Sequence, residues 1–191
     1  MVHIPRPGSP RVPVVDPAPD ALGADLAATL SKSIRRDGQA LNIFLTLGHH
    51  PALLKRFNAL GGAFLAHGLL PAREREIVIL RIGWNCRSVY EFGQHTLMGR
   101  DAGLTEAEIA ALATTRAGGP WSADEQALIG LADELCADDC VSEATFAALR
   151  RRWNDAEIVE LVALAGFYRM VSGLLNTLGV EPEPGLPSWP G

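Results

Sequence analysis

The chain reads as an all-α protein, and three observations carry that reading. Apolar residues recur at helical spacing over most of its 191 residues. Serine, threonine or asparagine stands three residues before glutamate at three helix starts, and no segment alternates apolar and polar residues as a half-buried strand does. The β-branched run Ile77-Val78-Ile79 would suit a strand, but it lies inside a longer helical pattern.

In chain order, residues 1–19 carry prolines at 5, 7, 10, 13, 17 and 19 and form an extended arm, because proline lacks the donor that helices and sheets need. Leu22, Leu26, Leu30 and Ile34 predict a first helix over 21–36, and 39–47 a short second one. Pro51 suits a helix first turn, opening a helix to about His67, in which Gly61-Gly62 weaken the middle or admit a close backbone approach. Pro71 opens the next helix, with Glu74 and Glu76 near its positive end. After a break near Asn85, a helix over about 87–102 stops at Gly103. Thr105-x-x-Glu108, Ser122-x-x-Glu125 and Asn154-x-x-Glu157 start helices over about 106–114, 123–137 and 155–178, and a short helix fits 143–152. The last helix is apolar on nearly every side, from Ile158 to Leu175, so it is either central to the core or shared with another subunit. The second option predicts a homo-oligomer. Residues 20–180 are expected to form one domain and 181–191, with four prolines, a non-helical tail.

A net charge of −5 and the lack of a basic stripe give a nucleic-acid partner no support. The long apolar stretches contain charges such as Glu157 and Glu160, which argues against a membrane span. Without an apolar segment after the start, the N-terminus does not resemble a secretory signal, so a cytoplasmic location is expected. Cys86, Cys136 and Cys140 are an odd number and argue against a disulfide framework. The Cys136–Cys140 spacing does not suit a metal knuckle, so no metal and no cofactor is predicted.

Chemistry gathers on two neighbouring helices. Ser88, Glu91 and His95 stand at i, i+3 and i+7, along one helix face. A carboxylate four residues from an imidazole can orient it and raise its pKa, which suits proton transfer near neutral pH. Glu76 could meet this face across an antiparallel helix pair, with Tyr90 and Phe92 as flanking aromatic surface. Each of these residues also has a plain structural role available. Glu91–His95 would serve as a surface pair, Ser88 as a helix cap, Glu76 as a dipole partner, and Tyr90 and Phe92 as packing. His49-His50 precede Pro51 and suit the start of that helix, with a place beside a pocket as the alternative.

Glu76, the twelve-residue step to Ser88, then Tyr90, Glu91 and His95 resemble the alkylhydroperoxidase D-like, or carboxymuconolactone decarboxylase-like, superfamily. Its peroxidase branch carries Glu followed by Cys-x-x-Cys-x-x-x-His; aligned on Glu76, Tyr90 and His95, the two cysteine positions are Ser88 and Glu91. The stretch looks like the branch with Tyr-Glu-Trp-x-x-His, with Phe92 in place of Trp. Ala102-Gly103-Leu104-Thr105, Phe167-Tyr168 and Asn176-Thr177-Leu178-Gly179-Val180 extend the likeness to roughly residues 40–182. An alignment on Glu74 and Cys86 fails, because it sets Val89 and Gly93 at the second cysteine and the histidine.

The resemblance implies an alkylhydroperoxidase D-like helical bundle, assembled as a dimer, trimer or hexamer with intertwined helices. It implies a small-molecule substrate. The activity it suggests is a cofactor-free lyase, decarboxylase or isomerase acting on a lactone or carbonyl acid. In that scheme His95 moves a proton, Glu91 orients it, and Glu76 is a second acid–base group. Tyr90 or Ser88 hydrogen-bonds the substrate, Phe92 lines it, and Arg81 pairs with a substrate carboxylate or merely neutralises Glu76 or Glu91. A thiol peroxidase is the first alternative, opposed by the missing cysteine pair; a non-catalytic binding or assembly protein is the second.

Overall fold

A computed structural model describes residues 4–18, 20–114 and 119–190. Pro19 of the expected arm and Gly191 of the tail lie outside the described residues, as do 1–3 and 115–118. Nine helices and one two-stranded hairpin are present among the described residues: α1 Ala24–Leu30, β1 Arg35–Arg36, β2 Gln39–Ala40, α2 Asn42–Leu47, α3 Pro51–Ala66, α4 Ala72–Asn85, α5 Val89–Asp101, α6 Glu106–Leu112, α7 Ala123–Asp138, α8 Glu143–Leu149 and α9 Asp155–Leu178. The all-α class holds.

Residues 1–67 and 175–185 make one compact unit. Its core joins Leu54 and Phe64 to Ile43, Phe44 and Leu47, with Phe44 and Phe57 edge to face at 6.2 Å. The helix expected over 21–36 stops at Leu30, and the one expected from Gln39 starts at Asn42. Between them, Asp37 and Gly38 both take positive φ (50° and 79°) and turn the antiparallel β1–β2 hairpin. Asp-Gly is a preferred pair for such a two-residue turn, and this local chemistry overrides the apolar spacing that ran through Ile34. The proline-rich arm is held by backbone bonds: Arg11 N–H donates to Leu178 O at 2.8 Å and Val15 N–H to Leu45 O at 3.2 Å. Part of the tail is held as well, since the Glu183 carboxylate accepts from Asn42 N–H at 2.7 Å.

Residues 68–174 and 186–191 make the second unit. Its central helix is α4, packed on both α5 and α7 and buried continuously from Glu76 to Gly83. Thr105 and Ser122 close full capping boxes with Glu108 and Glu125, and Asn154 and Glu157 bond reciprocally at the start of α9. Arg73 near the start of α4 ties two of these caps together, reaching Glu108 at 2.5 Å and Glu125 at 2.9 Å. Hydrogen bonding from Arg73, opposed by burial, holds the Glu108 carboxyl at about 2.

By length and apolar content α9 could cross a bilayer, and half of its most apolar window is buried within the chain. Val159, Val162 and Met170 remain exposed on it. The tail, non-helical as expected, packs on α4 and α5: Trp189 stands edge to face with Trp84 at 5.1 Å and tilted on Phe92 at 5.0 Å. Gly93 makes room for it, since a β-carbon there would sit 2.3 Å from Pro187 O.

Candidate active site

The α4–α5 pair sets the site. Ser88 N–H donates to Gly83 O at 2.8 Å, and Arg87 takes φ 52° to reverse the chain. The helices cross closely at Gly83, where an added β-carbon would lie 3.3 Å from Phe92 N and 3.5 Å from Glu91 Cγ. This crossing brings Glu76 of α4 against His95 of α5, with 2.6 Å between Oε2 and Nδ1. On the other ring edge, His95 Nε2 lies 3.2 Å from Glu91 Oε1. Glu76, Glu91 and His95 are 0%, 3% and 5% exposed, so Glu91–His95 is not a surface pair. The other oxygen of Glu76 accepts from Arg75 Nε at 3.0 Å.

Burial alone would push the His95 pKa down. The charge and hydrogen bond of Glu76, joined by those of Glu91, outweigh it and raise the pKa to about 9. At neutral pH His95 is therefore an imidazolium donating both N–H groups, one to each carboxylate. Tyr168 of α9 stands edge-on to the ring at 4.9 Å and 85°. Burial and the two carboxylates push its phenol well above its ordinary pKa, keeping it neutral. Tyr168 was not among the sequence-predicted site residues; its signals were its place in the superfamily likeness and a hydroxyl-bearing ring on a largely apolar helix.

The remaining predicted residues divide. Ser88 is the N-cap residue of α5 but makes no capping bond, and its hydroxyl is buried without a partner. Tyr90 is buried, and Phe92 is fully enclosed beneath Trp189. Arg81 is engaged away from the cluster. Its Nε and Nη2 donate to Asp133 at 2.5 and 3.0 Å, and its Nη1 to Leu112 O and Thr114 O at 2.9 and 2.7 Å. The expectation that it neutralises Glu76 or Glu91 is corrected, because Arg75 is the arginine at Glu76 and the Arg81 fork is already filled. His50 caps α3, its Nδ1 accepting from Leu53 N–H, and His49 Nε2 bonds Pro13 O at 2.9 Å. A cleft of about 750 Å³ between α1 and α3, lined by Asp25, Thr29, Lys32, Lys55 and Asn58, contains none of the predicted site residues.

Sequence logic missed one juxtaposition. Cys86 caps the C-terminus of α4, and its Sγ lies 4.0 Å from Cys136 Sγ on α7. Position i+3 from Cys86 is Val89, and the thiol beside Cys86 comes from fifty positions away along the chain. Among the described residues, no group of three or more His, Cys, Asp or Glu side chains is arranged to hold a metal ion.

Residues 51–134 match the carboxymuconolactone decarboxylase family model. The chain is similar to a solved structure from Ralstonia eutropha JMP134, described as an alkylhydroperoxidase AhpD core and uncharacterized peroxidase-related protein. That likeness has 26% identity and a TM-score of 0.79 over 92% of this chain and 93% of the other. A peroxidase-related protein from Silicibacter sp. TM1040 shares the fold at 18% identity, TM-score 0.77 and 95% coverage of both chains. So does the debrominase Bmp8, solved as an alanine variant with 2,3,4-tribromopyrrole, at 15% identity, TM-score 0.76 and 91% coverage of both. None of the curated proteins matches the sequence significantly. The family match over residues 51–134 and this shared fold support the carboxymuconolactone decarboxylase-like, alkylhydroperoxidase D-like superfamily that the Glu76–Ser88–Glu91–His95 frame resembles.

Proposed function

We propose that the protein is a cofactor-free acid–base enzyme, a lyase or isomerase acting on a small lactone or carbonyl acid. The observation that supports this most is the buried imidazolium held at both nitrogens by carboxylates, 2.6 Å from Glu76 and 3.2 Å from Glu91. A carboxylate that takes an imidazolium proton along its hydrogen bond can deliver it to a developing carbanion or leaving oxygen, and a proton that the same carboxylate abstracts from the substrate passes back to the imidazole. Glu76 sets the imidazolium charge, Glu91 orients the ring, and the neutral Tyr168 walls it from water. The unpaired Ser88 hydroxyl, one turn before Glu91, is free to donate to a substrate oxygen. Where the peroxidase branch has its two cysteines, Ser88 and Glu91 cannot act as an attacking and a resolving thiol, which weighs against peroxidase chemistry at this position.

The test is turnover of a panel of small unsaturated lactones and β-keto or hydroxy acids by the wild-type chain, His95→Gln and Glu76→Gln. Loss of about 100-fold or more in kcat/KM in both variants, with folding retained, is expected for an acid–base pair. Wild-type inactivity across the panel, or variants as active as wild type, would favour the binding or assembly role. The reading includes self-association through Val159, Val162 and Met170 of α9. A monomer in sedimentation velocity at micromolar concentration would remove that part.

A further inference from the structure

We infer that Cys86 and Cys136 form a second reactive site, a dithiol that a hydroperoxide closes into an intramolecular disulfide. Their sulfurs are 4.0 Å apart across the α4–α7 contact. A disulfide needs about 2.05 Å, an approach that side-chain rotation can provide where the backbones already face each other. That facing is enforced by a polar lock just before both residues. Asn85 Nδ2 donates to Asp133 Oδ1 at 2.8 Å, while Arg81 grips both oxygens of the same carboxylate. Asn85 immediately precedes Cys86, and Asp133 lies three residues before Cys136, so the lock fixes the register of the two thiols. Both cysteines are half-buried, within reach of a small oxidant. Cys140 is exposed and turns its thiol to Val141 O at 3.6 Å.

The environment separates the roles of the two sulfurs. A hydrogen bond from Cys136 lowers the Cys86 pKa against burial, with further help from the Arg169 charge. The Cys136 thiol is raised by its bond to Cys86 and by burial. Cys86 is thus the attacking thiolate and Cys136 the resolving thiol. In the first step, Cys86 sulfur attacks the distal oxygen of the hydroperoxide. An S–O bond forms, the O–O bond breaks, and the alkoxide leaves with a proton as the alcohol. In the second, Cys136 loses its proton and attacks the sulfenic sulfur; the S–S bond forms and the S–O bond breaks, releasing water. Two thiols and one hydroperoxide become one disulfide, one alcohol and one water, and an external dithiol reverses the sulfur oxidation.

The Glu91 charge opposes the lowering of the Cys86 pKa, but the sulfur steps use no atom of His95. The test is treatment of the reduced full-length chain with a small excess of hydrogen peroxide, followed by thiol titration and non-reducing peptide mapping. Three free thiols should fall to one, with a Cys86–Cys136 cross-link, an alkylatable Cys140 and full recovery in dithiothreitol. Cys136→Ser should trap sulfenic acid at Cys86 as its dimedone adduct, while Cys86→Ser should keep both remaining thiols reduced over the same interval. His95→Gln should form the cross-link like wild type. A Cys136–Cys140 cross-link, oxidation confined to Cys140, or bonds only between chains would overturn the assignment.

Discussion

Two charge clusters hang from α4, and they are satisfied to different degrees. Arg81 spends its donors on two carboxylate oxygens and two backbone carbonyls, and the cluster lies where α7 and the end of α6 meet α4. Glu76, five residues earlier on the face towards α5, shares a single imidazolium with Glu91, and a bare hydroxyl at Ser88 lies nearby in sequence. The first arrangement commits four of the five guanidinium N–H groups, as befits a structural clamp. The second holds a mobile proton between two bases and keeps a polar group unused. Burial alone does not identify a site; an incomplete hydrogen-bond inventory beside a titratable group is more telling.

Arg81→Met is the most direct way to break the comparison. It leaves Asp133 with the Asn85 amide as its remaining partner, takes a donor from the Leu112 and Thr114 carbonyls, and should cost about 2 kcal/mol in urea unfolding, with the His95 titration unmoved. A stability change under 1 kcal/mol would mean that the clamp is not structural. The second break is pH. The folded His95 pKa is raised to about 9 from an ordinary 6.5, so its stabilising contribution is full below 6.5 and lost as pH rises through 9. That difference amounts to about 3 kcal/mol. Unfolding midpoints should fall between pH 6.5 and 9.5 in wild type and stay nearly flat over that range in Glu76→Gln, whose His95 should titrate about 1–3 units lower by NMR. An unchanged alkaline fall in the variant would assign it to another group. The smallest effect sharpens the contrast from the other side. Ser88→Ala removes an unpaired buried hydroxyl, so stability should hold or rise by up to about 1 kcal/mol while turnover drops. A loss of stability would show that the hydroxyl has a structural partner.

Local chemistry was legible in the sequence. The three Ser/Thr/Asn-x-x-Glu starts became reciprocal caps because a capping box is complete within four residues. The i, i+4 step placed Glu91 against His95, and the superfamily frame added Glu76 from the helix before it. The Asp37-Gly38 turn was equally local, but the wider apolar spacing through Leu30 and Ile34 masked it. Arg81 was misassigned for a different reason: one turn from Glu76 on the same helix, it points to α7, and no pattern within α4 shows which neighbour each face will meet.

The sequence by itself determined most of the helical elements, their caps, the superfamily resemblance and the residue types available for proton transfer, because each depends on contacts within a few positions or on a short ordered motif. Tertiary structure decided which charges are clamps and which are poised, brought Tyr168 to the imidazole edge, and set Cys86 opposite Cys136. Those outcomes depend on which faces of α4, α5, α7 and α9 pack together. That choice is made by burial summed over the whole core, and no single stretch of residues encodes it.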